Sequence, residues 1–250
     1  MARPREIELP TGETIPILFE DRSILAIDKP AGWMLVPFSW QRTNWNLQAA
    51  LVSSISSGAF WARSRQIRFL RYVHRLDAET TGVLLFGRSP GAVDTFGRLF
   101  EGRRMRKVYL AAVEGVPGRQ GWTSRGSIAP DAQRRGCMRI DRQHGKEALT
   151  DFQVVQTVGK RTLVVARPLT GRTHQIRVHL REEGLPIVGD LLYGTDSARP
   201  EGGFGLRAIE LGYRDPFTGK EVRIRAPVEE FLAQFGFDAG RWTAGPGTTI

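Results

Sequence analysis

The sequence predicts an α+β fold with a mainly antiparallel sheet. Three observations point there: strand-like segments outnumber helical ones, hairpin-like turns recur between them, and the composition is that of a globular chain. Hydrophobic residues make up 41% of the 250 residues and charged ones 25%, ordinary values for a soluble protein with a sizeable core.

In chain order, residues 1–14 are polar and are expected to be a flexible lead-in. Ile15 to Glu20 and Ile24 to Asp28 read as strands joined by Asp21-Arg22-Ser23, and Lys29-Pro30-Ala31-Gly32 ends the second in a tight loop. Thr43 to Ser57 carries Leu47, Ala50, Leu51 and Ile55 at helical spacing, with Thr43 or Asn44 as N-cap and Gly58 as stop. Residues 59–71 mix aromatics with Arg63, Arg65, Arg68 and Arg71 and read as an exposed basic loop. Gly82 to Phe86 is an unbroken apolar run, the pattern of a strand buried on both faces. Ser89-Pro90 then caps a helix to about Gly102, with Val93, Phe96, Leu99 and Phe100 on its apolar side. Val108 to Val113 is another core strand. Residues 115–146, rich in Gly and Arg, read as a mobile insertion or hairpin. Ala148 to Val158 and Arg161 to Pro168 form an antiparallel pair, and a helix runs from His174 to Glu183 with Gly184 as its C-cap. Leu206 to Tyr213 and Val222 to Ala226 flank an Asp-Pro-Phe-Thr-Gly turn, Val228 to Phe235 is a closing helix, and 239–250 is expected to be a disordered tail. One folded domain over 15–238 accounts for all of these.

Charge narrows the function. Lys+Arg 36 against Asp+Glu 26 gives +10, with arginine far ahead of lysine, which favours phosphates and stacked bases as partners. A single cysteine, Cys137, excludes an intramolecular disulfide. No apolar run reaches membrane-span length and no signal segment opens the chain, so the expectation is a cytoplasmic protein without a membrane partner. Metal and nucleotide-cofactor signatures are missing: His174 and His179 are five apart, and no phosphate-cradling loop precedes a Lys-Ser/Thr pair.

Three segments carry candidate chemistry. Val73-His74-Arg75-Leu76-Asp77-Ala78-Glu79-Thr80-Thr81-Gly82 sets a carboxylate between an arginine and hydroxyls at the mouth of a rigid strand. Lys107-Val108-Tyr109 presents a phenol directly after the basic run Arg103-Arg104-Met105-Arg106-Lys107. The helix after Thr170-Gly171-Arg172-Thr173 brings His174, Gln175, Arg177 and Arg181. Each has a plainer alternative: Asp77 capping a turn beside Arg75, Tyr109 at a core edge, Arg177 on the surface, His174 as a cap.

Taken together, the segments resemble the RluA family of RNA pseudouridine synthases. The first is similar to that family's His-Arg-Leu-Asp-x-x-Thr-Ser-Gly loop, and Lys107-Val108-Tyr109 to its Lys-x-Tyr element. Leu169 to His179 with Pro186-Ile187-Val188-Gly189-Asp190 resembles its Thr-Gly-Arg-x-His-Gln-Ile-Arg-x-His and Pro-Ile-x-Gly-Asp blocks, and Lys29-Pro30-Ala31-Gly32 its first turn. The resemblance runs from about Pro16 to Phe235. It implies a mixed, mainly antiparallel sheet with flanking helices and loops, a catalytic domain over 15–238, isomerisation of uridine in tRNA or rRNA, no cofactor and no metal. It also implies that Asp77 is the catalytic carboxylate, that Tyr109 packs on the target base, that Arg177 pairs with Asp77, and that Arg75 enters the RNA stack as the base leaves.

His74, Thr80, Arg172, His174, Gln175, Arg103, Arg104, Arg106 and Lys107 are the remaining substrate-binding candidates. Two departures stand out: Thr81 where serine is usual, and Leu206-Arg207-Ala208 where Leu-His-Ala is common. No S4-type RNA-binding domain is expected ahead of residue 15, so the basic loops 59–71, 103–107 and 119–142 are expected to grip a stem-loop, the enzyme acting as a monomer. A non-catalytic RNA-binding protein and a nuclease are the competing readings.

Overall fold

The computed structural model describes residues 3–35, 45–194 and 203–242. In chain order the elements are β1 (Glu6–Glu8), β2 (Thr14–Glu20), β3 (Ile24–Lys29), α1 (Leu47–Ser56), α2 (Phe60–Arg63), β4 (Arg71–Tyr72), β5 (Thr81–Gly87), α3 (Pro90–Glu101) and β6 (Arg106–Glu114). They continue with β7 (Gly121–Arg125), β8 (Ile128–Pro130), β9 (Met138–Ile140), β10 (Leu149–Val158), β11 (Arg161–Pro168) and α4 (Gln175–Glu182). Last come β12 (Leu206–Arg214), β13 (Glu221–Arg225), α5 (Glu229–Gln234) and a 3-10 turn at Ala239–Arg241. The single domain expected from the pattern divides into two compact units, Met1–Arg106 with Glu210–Ala226, and Lys107–Ile209 with Pro227–Ile250. Each has its own core, which is the physical basis of the division.

In the first unit β1, β2, β3 and β5 pair antiparallel in that order, and β4 adds to β5. The apolar run of β5 is buried on both faces: Val83 and Leu85 join Ile24, Ala26 and the α3 residues Ala92, Phe96 and Leu99 in one core, while Leu84 and Phe86 stand opposite Ile27 and Leu25. The helix α3 starts where the sequence placed it, the Ser89 side chain accepting the Ala92 N–H at 3.1 Å. The lead-in behaves differently from expectation. Glu6–Glu8 pairs with β2, and Ile7 and Leu9 are buried because their spacing puts both on the inner side of the strand. Ser54 Oγ, itself the acceptor for Trp61 Nε1, donates to Glu8 O. The loop 59–71 is only partly the exposed basic surface foreseen: Arg65 is buried, donating to Glu20 Oε2 at 2.6 Å, Pro4 O at 2.6 Å and Trp61 O at 3.2 Å. Thr43 and Asn44 lie outside the described residues, and the cap of α1 is Asn46, whose side chain accepts the Ala49 N–H.

In the second unit β6, β11, β10 and β7 pair antiparallel in that order. The pleat sorts β6 cleanly. Val108, Leu110 and Ala112 face a core closed by Phe231, Leu232 and Phe235 around α5, while Tyr109, Ala111 and Val113 face Ile176 and Leu180 of α4. Of the segment 115–146 read as a mobile insertion or hairpin, β7 joins the sheet beside β10, and the rest holds the antiparallel pair β8–β9, pinned by Ile128, Cys137, Met138 and Ile140 against Val178 and Tyr193. Helix α4 ends in the expected way: Gly184 takes φ +72°, with its N–H on Arg181 O and the Leu185 N–H on Leu180 O. Within the span expected to be disordered, Ala239–Arg241 form the 3-10 turn, and Trp242 packs on the α5 core.

Candidate active site

The Asp77 loop is built on a buried ammonium. Lys29, the last residue of β3 and opposite Gly82 of β5, is 0% exposed. Its Nζ donates to Ala78 O at 2.7 Å, Pro30 O at 2.9 Å and Thr80 O at 3.0 Å, the full donor set of an ammonium. The Gly32 N–H also reaches Ala78 O, and the Thr80 N–H closes the turn on Asp77 O at 3.1 Å. Burial pulls the Lys29 pKa down from 10.5 to about 7, the charges of Glu79 and then Asp77 acting in the opposite direction, and the three carbonyl acceptors around Nζ favour the protonated form. Asp77 is thus half-buried on a fixed turn, with Arg75 exposed beside it. The sequence placed Lys29 in the Lys-Pro-x-Gly turn that resembles the family's, but left its side chain without a role; that role becomes legible once its burial is known.

Several residues expected to meet substrate have partners within the frame. His74 Nε2 accepts the Leu85 N–H at 3.2 Å, which fixes that nitrogen as unprotonated, and its ring stacks on Phe100 with centroids 4.5 Å apart. Thr80 is buried. Arg106 pairs with Glu210, whose other oxygen takes Arg225 Nε at 2.7 Å, so that two cations offset one buried carboxylate. Arg103 and Arg104 remain exposed, Arg103 in the left-handed region at φ +56°.

In the second unit Tyr109 is half-buried on the α4 side of β6. Lys107 Nζ donates to Thr170 O at 2.7 Å, tying the start of β6 to the loop ahead of α4. That loop is held by Gln175, whose Oε1 accepts from Thr170 Oγ1 and the Arg172 N–H and whose Nε2 donates to Leu149 O and Thr150 Oγ1. Arg172 itself donates through Nε to Glu147 O at 2.9 Å. Arg177, expected to answer Asp77, directs Nε and Nη2 to the two oxygens of Asp190 at 2.8 and 2.7 Å; the pair is 6% and 2% exposed. A buried bidentate fork of this kind holds a guanidinium in one orientation. Its carbon also lies over the rings of Tyr193 and Phe204, 5.0 and 5.1 Å from their centroids. Asp190 was legible only as part of a block. Its place depends on Gly189, at φ +75°, where a Cβ would sit 1.9 Å from Gly203 O. His174, at φ +54°, meets Tyr193 Oη through Nδ1 at 2.8 Å. Arg207, one of the two departures, donates to Pro227 O at 2.8 Å.

Residues 23–182 match the family model described as RNA pseudouridylate synthase. The chain belongs to this family. An RNA pseudouridine synthase of Chlorobaculum parvum is 34% identical over 250 residues, covering 91% of this chain and 75% of that one. The ribosomal large subunit pseudouridine synthase C of Escherichia coli K12 is 35% identical, over 86% of this chain and 67% of its own. Among solved structures, human RNA pseudouridylate synthase domain containing 1 superposes with TM-score 0.68 at 28% identity, over 85% of this chain and 83% of that one. The protein is therefore an RNA pseudouridine synthase, an isomerase whose partner is RNA, with the α+β, mainly antiparallel fold of that family. Among the described residues no helix is long and apolar enough to cross a membrane.

Proposed function

We propose that this enzyme converts a uridine in a structured RNA stem-loop to pseudouridine, with Asp77 as the catalytic carboxylate. The observation that carries the reading is the clamp on the Asp77 turn: a wholly buried Lys29 ammonium donating to Ala78 O and Thr80 O, which presents a half-buried carboxylate from a rigid strand. The reaction breaks the C1′–N1 bond, turns the uracil, and forms C1′–C5; C5 gives up its proton and N1 finishes carrying one, so no co-reactant is consumed. The uridine must first leave its stack, at a cost of a few kcal/mol, and exposed Arg75 is suited to fill the gap. Two routes are open to the ionised Asp77: attack on C1′, or removal of the 2′ proton. A primary isotope effect with 2′-deuterated uridine belongs to the second alone. The roles of Tyr109, as a surface for the detached base, and of Arg177, as the counter-charge, are supported by the family likeness and by the packing of Tyr109 on the helix that carries Arg177.

Relatives named for the large ribosomal subunit make rRNA the first substrate to try and tRNA the second. The test incubates the protein and Asp77→Asn with unmodified RNA of both kinds and maps pseudouridine. The expected outcome is conversion by the wild type, none by the variant, and the same RNA affinity in both. Equal conversion would reject Asp77. RNA binding without conversion by the wild type would favour a scaffold that only binds RNA.

A further inference from the structure

We infer that Tyr193 is a positioning residue that transmits RNA engagement at the β8–β9 hairpin to His174 and Arg177. The Tyr193 hydroxyl accepts the Met138 N–H of β9 at 2.7 Å and lies 2.8 Å from His174 Nδ1. The hydroxyl therefore joins the Met138 backbone to the imidazole, the direction of its bond with Nδ1 following the His174 tautomer. Burial pushes the phenol's pKa up to about 12, so it stays protonated across the working range. The Tyr193 backbone N–H reaches Asp190 Oδ1 at 3.1 Å, the oxygen that accepts Arg177 Nη2, and its ring covers the same guanidinium. A second tie runs from the hairpin tip, where Arg134 Nη2 donates to Leu192 O at 2.5 Å; the Leu192 N–H also ends on Asp190 Oδ1.

Two hydrogen-bonded routes thus run from the hairpin toward Arg177, one through Tyr193 and one through Leu192, and both end on Asp190 Oδ1. The hairpin's outer face carries exposed Arg135, Arg139 and Arg142, a set suited to phosphate oxygens. RNA held there steadies Met138, hence the Tyr193 hydroxyl, hence His174, whose left-handed backbone needs an external hold. The hairpin does more than add affinity: it reports occupancy to the side chains that serve the reaction.

The inference rests on Arg177 acting as proposed above, and a double-mutant cycle tests it. Single-turnover conversion and RNA affinity are measured with an RNA that the wild type converts and Asp77→Asn does not. The variants are Tyr193→Phe, Arg135→Ala with Arg142→Ala, and all three together. The alanine pair, on exposed positions, is expected to weaken binding and also to lower the rate at saturating protein about tenfold. Tyr193→Phe alone is expected to lower the saturating rate by a similar factor with affinity unchanged. In its background the alanine pair should weaken binding only. A saturating rate untouched by the alanine pair in the wild-type background overturns the inference, however Tyr193→Phe folds. So does a rate effect of equal size in both backgrounds. A wild type inactive on every RNA sinks the catalytic reading first, and this one with it.

Discussion

Lys29 shows how a single side chain sets the local chemistry. Its three N–H bonds all end on backbone carbonyls, two of them in the turn that carries Asp77. Replacing it with methionine keeps the volume but strips those oxygens of their donor, at about 1–3 kcal/mol for each group left buried and unpaired. Removal of an ammonium kept from water offsets part of that cost. Lys29→Met is therefore expected to fold and to lose about tenfold or more in conversion rate, with little change in RNA affinity. Single-turnover kinetics beside a melting curve check it, and unchanged kinetics would show that the turn holds itself. Asp77 stood out in the sequence as a candidate because polar residues crowd against an apolar strand there, and its expected role came from the family resemblance. Lys29, Asp190 and Tyr193 could not be given roles, because their partners are carbonyls and side chains that only the tertiary structure supplies.

Helix α4 illustrates the next scale. It packs against β10 through a polar seam in which His179 Nε2 donates to Gly126 O at 3.2 Å and Nδ1 meets Thr150 Oγ1 at 3.0 Å. With the ring proton on Nε2 facing Gly126 O, a neutral His179 accepts the Thr150 hydroxyl at Nδ1, and both of its nitrogens are satisfied. Burial lowers the His179 pKa below 6.5. The folded chain then binds fewer protons than the unfolded one, so this stability is present above pH 6.5 and lost as pH falls. Melting temperature is expected to drop between pH 7.5 and 5.5, by about 2–4 °C for each kcal/mol lost, and His179→Gln should shrink that drop. An undiminished drop in the variant would place the acid sensitivity elsewhere. Elements with a strong local period were legible: β2, β3, β5, β10, β11 and α3 start or stop within a few residues of where pattern and caps put them. The β8–β9 hairpin was legible only as one of two alternatives, a mobile insertion or a hairpin, because its strands are three residues each and owe their order to Val178 and Tyr193.

For the molecule as a whole, the net charge of +10 overstates the surface open to RNA. Arg65 and Arg177 are buried in ion pairs and Arg106 is engaged by Glu210, whereas Arg103 and Arg104 are exposed. Arg103→Ala with Arg104→Ala is expected to weaken RNA binding and to reduce the slope of log affinity against log salt by about 1.5, near 0.7–0.9 for each phosphate no longer neutralised. The modified uridine should be the same. Titrations at several salt concentrations decide it, and an unchanged slope would move the grip to other loops. Composition foretold a polyanionic partner, but it could not say which arginines the fold keeps for itself.

Arg65 carries one more consequence. Its guanidinium reaches back to Pro4 O and Glu20, while Ile7 and Leu9 sit beneath the first strand. Trimming the chain to residue 15, where the regular pattern begins, would remove an acceptor from an enclosed cation and bare the underside of Ile15. What reads as a dispensable leader is a plug, and the folding unit begins a dozen residues earlier than its hydrophobic rhythm suggests.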